Sequence, residues 1–382
     1  MESLMTKPPA ADLAPIPLLD LPAQYDSIRE EIRAAIDDVC ESQRFIGGPK
    51  VQACEEAVAA YCGCACGVGV SSGTDALLCG MMAVGIGPGD EVIVPTFTFF
   101  ATAGCVSRLG AKPVFVDVDR DTFNTTAALI EPAITARTKL IIPVHLFGQC
   151  ADMDPILRLA ESRNIPVMED AAQSIGATYK GLKACSMGLL GTLSFFPSKN
   201  LGAFGDAGMI CTNNWSLADR LRLFRDHGAQ PKYYHRWIGG NFRLDALQAA
   251  IISVKLAHLD DWSRKRASNA RRYDEVFRGT PVKTPVIAGE NRSIYNQYVV
   301  RVPRRDELRR RLAERGIGTE VYYPVALHRQ ECFAGLGYSQ GDFPVSEAVA
   351  DEALALPIYP ELTDRQQQRI ATTILDFYRT GA

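Results

Sequence analysis

The sequence lacks a charge surplus. Lys and Arg together number 41 and Asp and Glu 44, so nothing argues for a nucleic-acid surface, and no run of like charge suggests a tail that would bind one. An apolar stretch as long as a bilayer span is missing. Met1 to Pro17 has neither the basic start nor the apolar centre of a secretion signal. It is rich in Ala and Pro, carries Glu2 and Asp12, and reads as a frayed tail. The 11 cysteines include no Cys-x-x-Cys pair; odd in number and scattered through apolar segments, they fit reduced thiols in a cytoplasm better than a disulfide framework. Cys62, Cys64 and Cys66 alternate, which on a strand would set all three on one face as small buried residues rather than metal ligands. The 5 histidines include no His-x-x-x-His pair. Internal repeats and low-complexity segments are absent as well.

What remains is ordinary globular composition: 382 residues, 47% hydrophobic and 22% charged, enough for a large core and two domains. Leu18 to Cys40 reads as a short extended start and then a helix, with Ile28, Ile32, Ala35, Ile36 and Val39 at helical spacing. Lys50 to Tyr61 is a second helix, with Val51, Ala53, Ala57 and Ala60 inward. A rhythm follows. Strands at 67–70, 91–95, 113–117, 139–144 and 166–169 alternate with helices at 74–84, 101–109 and 153–163. Short, continuously apolar strands between helices predict parallel strands covered on both faces, with reactive groups outside their carboxyl ends. Met209 to Thr212 is a hairpin-like return strand. Ser216 to Phe224 and Leu244 to Trp262 are helices, and Arg264 to Phe277 is a charged helix linking domains. Beyond it, strands at 298–302 and 319–323 and helices at 304–315, 346–353 and 363–378 predict a smaller α/β domain. The expected division is a tail at 1–17, a large domain at 18–262 and a small domain at 263–382.

The stretch Thr192-Leu193-Ser194-Phe195-Phe196-Pro197-Ser198-Lys199-Asn200-Leu201-Gly202 is apolar and β-prone, then ends in Ser, Lys and Gly. A lysine at such a strand mouth loses solvation of its ammonium form, its pKa falls, and its amine becomes nucleophilic near neutral pH. The alternative is a lysine reaching out to water. Ser71-Ser72-Gly73-Thr74-Asp75 sits where a strand turns into a helix, so free amides, small residues and hydroxyls there make either a phosphate cup or an ordinary helix cap. Gly85-Ile86-Gly87-Pro88-Gly89 precedes a strand and carries Pro where an amide is wanted; it is no dinucleotide fingerprint. Pro166 to Ser174 ends a buried strand in Glu169 and Asp170. A carboxylate held there needs a cation, such as the protonated ring nitrogen of a pyridine cofactor, unless Asp170 merely caps a helix. Phe97, Phe99 and Phe100 follow another strand end, where one ring could stack on a flat cofactor. Cup, aromatic, acid and lysine, each at a strand end, are together the parts that pyridoxal 5'-phosphate requires.

Several stretches then resemble one family. Ser72-Gly73-Thr74-Asp75-Ala76-Leu77, Gly87-Pro88-Gly89-Asp90-Glu91-Val92-Ile93, Glu169-Asp170-Ala171-Ala172-Gln173, Ser194 to Gly202 and Asn241-Phe242-Arg243-Leu244-Asp245-Ala246-Leu247-Gln248-Ala249-Ala250 are similar to the DegT-like sugar aminotransferases, from about Ile16 to the end. The resemblance implies a fold-type-I aminotransferase, α/β, with a mostly parallel seven-stranded sheet between helices and a smaller C-terminal α/β domain. It implies that Lys199 holds pyridoxal 5'-phosphate covalently, Asp170 pairs with its ring nitrogen, Gln173 lies near its ring hydroxyl and Phe99 stacks on it. Gly73, Thr74 and Ser194 would bind the phosphate. Asn241 and Arg243 would reach over from a neighbouring subunit, so a homodimer with shared sites is expected.

Ile294-Tyr295-Asn296-Gln297-Tyr298 and Val321-Tyr322-Tyr323-Pro324-Val325-Ala326-Leu327-His328 resemble members acting on UDP-2-acetamido-3-keto-glucuronate, with Tyr322, Tyr323 and His328 lining the sugar pocket. The implied reaction moves nitrogen from an amino acid donor, glutamate foremost, to a nucleotide-linked 3-keto sugar, giving an amino sugar for polysaccharide or glycoside synthesis. The alternatives are amination at carbon four, or a cofactor-binding regulator without turnover. Relatives that dehydrate carry His where this chain has Lys199.

Overall fold

The computed structural model describes residues 14–380. Residues 1–13 of the expected tail lie outside the described residues. Ile16 is buried, and its N–H donates to the Gly316 carbonyl at 2.8 Å.

The chain begins with helices α1 (Leu21–Ser27), α2 (Arg29–Ser42) and α3 (Pro49–Cys62). The rhythm then runs β1 (Cys66–Val70), α4 (Gly73–Val84), β2 (Glu91–Pro95), α5 (Ala101–Arg108), β3 (Lys112–Val116), α6 (Ala127–Ile130), β4 (Thr138–Ile141), α7 (Met153–Ser162) and β5 (Met168–Asp170). A small hairpin follows, β6 (Thr178–Tyr179) and β7 (Leu182–Lys183), then β8 (Leu190–Ser194), β9 (Gly208–Thr212), α8 (Trp215–Arg225) and α9 (Ala246–Phe277). The remainder is β10 (Asn291–Arg292), which pairs with β6, then β11 (Tyr298–Arg301), α10 (Arg305–Glu314), α11 (Pro344–Glu352), β12 (Ala353–Leu356) and α12 (Asp364–Thr380).

Among the described residues, two ladders, β1-β9-β8-β5 and β3-β2-β4, join through parallel bridges Ile141–Val167 and Val144–Asp170 into one seven-stranded sheet, ordered β1-β9-β8-β5-β4-β2-β3. Only β9 runs antiparallel to its neighbours. The mostly parallel sheet expected from the continuous apolar strands is therefore present. Asp170 ends its central strand. Apolar cores lie on both faces. One packs α3, α7 and the first half of α9; the other packs α4, α5 and α8. This two-sided covering is why the strands read as unbroken apolar runs.

Four local readings change, the first being that the two helices expected at 244–262 and 264–277 are the single helix α9. The buried side of α3 is Val51, Cys54, Val58, Ala59 and Cys62, while Ala53, Ala57 and Ala60 face water. Cys62 ends that helix and only Cys66 is on a strand, so the three alternating cysteines do not share a strand face. The second strand of the C-terminal ribbon is β12, paired antiparallel to β11. Thr319 to Tyr323 contributes just the bridge Glu320–Ala355. The run Ala353 to Leu356 was hidden because Ala and Leu favour helix as strongly as they tolerate a buried strand.

Candidate active site

The carboxyl ends of β1, β2, β5 and β8 point the same way, and the expected groups gather there. α4 begins directly after β1. Ser72 caps it, with its Oγ accepting the Asp75 N–H at 3.0 Å. Ser71 and Ser72 hydroxyls both donate to the Asp75 carboxylate, at 2.6 and 3.0 Å. The Ala76 N–H goes to the Ser72 carbonyl. That leaves the Gly73 and Thr74 amides pointing out of the helix end, where the backbone dipoles favour an anion. A Cβ on residue 73 would stand 2.6 Å from Ser194 Cβ. Glycine there lets the helix end close onto the end of β8, and Ser194 joins the same cup.

Strand alternation separates the two acids of β5. Glu169 is fully buried. Its Oε2 meets His145 Nε2 at 2.8 Å and accepts the Cys185 N–H at 2.9 Å, and its Oε1 accepts the Met187 and Gly188 N–H groups at 2.8 and 2.7 Å. His145 Nδ1 accepts the Ala151 N–H, so Nε2 carries the proton toward Glu169. Glu169 thus pins the 185–188 turn.

Asp170 faces the cleft and is 4% exposed. It accepts from the Thr102 hydroxyl at 2.8 Å and the Ala172 N–H at 3.2 Å. Burial pushes its pKa above the ordinary carboxylate value, against the pull of Thr102, Ala172 and the nearby Lys199 ammonium. Such a carboxyl is short of a cation, which a protonated pyridine nitrogen would supply.

Lys199 lies in the turn that leaves β8, where its N–H donates to the Phe196 carbonyl at 2.8 Å. Desolvation lowers its pKa to about 8, and attraction to Asp170 opposes this. The sign follows from the charge: burial penalises the ammonium, so the free amine is populated near neutral pH.

Gln173 bridges two parts of the rim. Its Oε1 accepts the Phe147 N–H at 2.8 Å and its Nε2 donates to Tyr323 Oη at 3.1 Å. Phe99 is 57% exposed, with its ring 6.3 Å from that of Tyr323. Phe97 is core and Phe100 packs on Phe333. Tyr322 is half-buried beside Tyr323.

His328 is not available to a ligand. It is 2% exposed, with Nδ1 2.9 Å from the Thr96 hydroxyl and Nε2 2.9 Å from the Glu347 carboxylate. The expectation that it lines a sugar pocket is corrected: one ring nitrogen is spent on Thr96 at the end of β2 and the other on Glu347 of α11.

Asn241 is exposed and bridges Asp226. The neighbouring Arg243 donates to Asp226 at 2.6 Å, and its buried Nε has no partner among the described residues. Sequence reasoning missed Thr102, which sits on the first turn of α5. Only tertiary structure carries its hydroxyl to Asp170, 68 positions away.

A mostly parallel α/β sheet with a desolvated lysine and a buried carboxyl at the ends of neighbouring strands fits an enzyme whose lysine amine carries the chemistry. The profile of the DegT/DnrJ/EryC1/StrS aminotransferase family matches residues 26–375. A curated relative, "UDP-2-acetamido-2-deoxy-3-oxo-D-glucuronate aminotransferase" of Pseudomonas aeruginosa, is 43% identical over 91% of this chain and 96% of its own. Another, "Pleiotropic regulatory protein" of Geobacillus stearothermophilus, is 49% identical over 95% and 99%. The crystal structure of DesV from S. venezuelae, described as a complex with a ketimine intermediate, superposes with a TM-score of 0.93 at 42% identity, covering 95% of this chain and 98% of that one. Several further relatives bear names of transaminases for dTDP- and UDP-linked amino sugars. The chain belongs to the DegT/DnrJ/EryC1/StrS family and is an aminotransferase. No described helix is long and apolar enough to cross a membrane.

Proposed function

We propose that this chain transfers an amino group from an amino acid, glutamate foremost, to the 3-keto position of a nucleotide-linked sugar, with pyridoxal 5'-phosphate as its cofactor. The observation that carries the reading is the pair Lys199 and Asp170: a desolvated amine and a buried carboxyl that follow and end the neighbouring parallel strands β8 and β5, near enough for each charge to act on the other.

The residues fit the cofactor. Gly73, Thr74 and Ser194 would hold its phosphate, Asp170 its ring nitrogen, Gln173 its hydroxyl and Phe99 its face. When bound, the cofactor supplies an electron sink for the carbanion formed at the donor's α-carbon. Lys199 anchors it and serves as the base and acid that moves the proton at that carbon. Asp170, oriented by Thr102 and the Ala172 amide, keeps positive charge on the ring side of the cleft without reorganising. Tyr322 and Tyr323 are the pocket's sugar-side walls, with Tyr323 fixed by Gln173.

The active unit is a homodimer in which Asn241 and Arg243 serve the partner's cup; the exposure of Asn241 supports this. The cofactor domain spans 18–262 and the small domain 263–382. The free thiols of the eleven cysteines suit the cytoplasm.

The test is a spectrum. Wild-type protein mixed with the cofactor gains an absorbance band trapped by borohydride at Lys199. In a sample not treated with borohydride, glutamate bleaches that band, and a UDP-linked 3-keto sugar restores it. Restoration only by 4-keto sugars would shift the reading to carbon four. A second reading, a cofactor-binding regulator, is favoured by the name of the Geobacillus relative; it predicts a band that glutamate leaves unchanged.

A further inference from the structure

The loop that carries Lys199 is held from two sides. On its far side α9 grips it: Gln248 bonds both the N–H and the carbonyl of Phe204, at 2.8 and 3.3 Å, and Lys255 Nζ donates to the Gly202 carbonyl at 2.5 Å. On its near side, the residue next to Lys199 does the work. Asn200 is 2% exposed, and its Nδ2 donates to the Ile294 carbonyl at 3.0 Å. Its Oδ1 accepts from Asn296 Nδ2 at 2.7 Å. Asn296 is 3% exposed, and its own carbonyl accepts from Arg266 on α9 at 3.4 Å. Arg266 also holds the carbonyls of Tyr295 and Ile358, at 3.2 and 2.7 Å.

One detail does not belong to a group kept for stability alone. Asn296 Oδ1 is buried and has no hydrogen-bond partner among the described residues. An orphaned buried acceptor costs about 1–3 kcal/mol. Asn296 therefore contributes one good bond, to the side chain beside Lys199, while carrying a penalty that an apolar residue of similar volume would not.

We propose that Asn296 is a positioning residue: through its bond to Asn200 it fixes the direction in which Lys199 leaves the loop, and so ties the amine to the segment 294–298 that leads into β11. This rests on the reading of Lys199 as the cofactor-bearing amine. A buried amide pair has few alternative geometries. It restrains the backbone of Asn200, and hence the neighbouring Cα–Cβ vector, more tightly than packing does.

The test is Asn296→Leu in the full-length chain, with Asn200→Leu and the double variant. Asn296→Leu removes one orphaned acceptor and creates another on Asn200, so the thermal midpoint should stay within a few degrees of wild type. In cofactor-free protein, the rate at which a small amine-reactive reagent labels Lys199, followed by mass spectrometry against pH, should shift its midpoint upward by about one unit as the amine leaves its desolvated position. With cofactor, kcat should fall roughly a hundredfold while KM for the amino donor changes little. The double variant should lose no more than Asn200→Leu alone, because the bond between the two amides is already gone in that variant.

An Asn296→Leu protein with the wild-type labelling profile and kcat overturns the proposal. So does a kcat loss that merely follows the fraction unfolded. If the leucine variant fails to fold, Asn296→Ser, too short to reach Asn200, carries the same expectations. A wild-type chain whose Lys199 neither labels early nor binds the cofactor defeats the functional reading itself. A wild type that does both, with Asn296→Leu unaltered, defeats only the positioning role.

Discussion

Lys199 is where removal of single atoms should be felt most. Lys199→Ala is expected to abolish covalent retention of the cofactor and to lower kcat by at least about a thousandfold, since anchor and proton carrier go together. Retained absorbance and turnover in that variant would end the assignment. The pH dependence has a fixed sign. Lys199 titrates at about 8, so capture of added cofactor by the cofactor-free chain should accelerate as pH rises through that value and level off above it. Stopped-flow absorbance reads this; a rate that instead keeps climbing to the ordinary lysine range would mean a solvated amine. Asp170→Asn keeps the shape and the Thr102 contact but removes the charge. It should leave cofactor loading nearly intact and lower kcat by about two orders of magnitude. At this scale the sequence was informative wherever chemistry is local. Lys199 announces itself by following an apolar run, and Asp170 by ending one. Thr102 is silent because its partner is distant in the chain. His328 misleads because a histidine tied at both nitrogens looks, in a string of letters, like a free one.

Among the elements, α4 matters most for binding. Its first turn, closed on Ser194 by the absence of a side chain at Gly73, should tolerate no Cβ. Gly73→Ala is expected to weaken cofactor affinity about tenfold or more, because the 2.6 Å approach to Ser194 forces a shift costing about 1–3 kcal/mol. Equilibrium dialysis or a fluorescence titration checks it, and unchanged affinity would place the phosphate elsewhere. Elements were legible where periodicity was strong, as in β1, β2 and α4. They were not where small residues blur the pattern. In α3, alanines lie all round the helix, and the expected inward set was wrong at Ala53, Ala57 and Ala60. In β12, a four-residue run of Ala and Leu carries no signature of its own.

At the level of the molecule, shared sites have a sharp test. If Asn241 acts across a two-fold interface, mixing inactive Lys199→Ala and Asn241→Ala chains should restore up to about a quarter of wild-type activity, since half the random dimers then hold one complete site. No recovery, after verified exchange of subunits, would put Asn241 in its own chain's site. The seven-stranded order was only partly readable. Alternating strands and helices indicate a parallel sheet, but which strands neighbour one another, and that β9 enters between β1 and β8, is fixed by packing on both faces rather than by any stretch alone.

α9 runs unbroken for 32 residues from Ala246 to Phe277. Its first half packs in the core beneath the sheet, and Ala270, Tyr273 and Phe277 pack in the C-terminal core. A single hydrogen-bonded rod embedded in two cores transmits the melting of either one to the other. Scanning calorimetry should therefore record one endotherm, and a glycine pair set into the middle of that rod should split it in two.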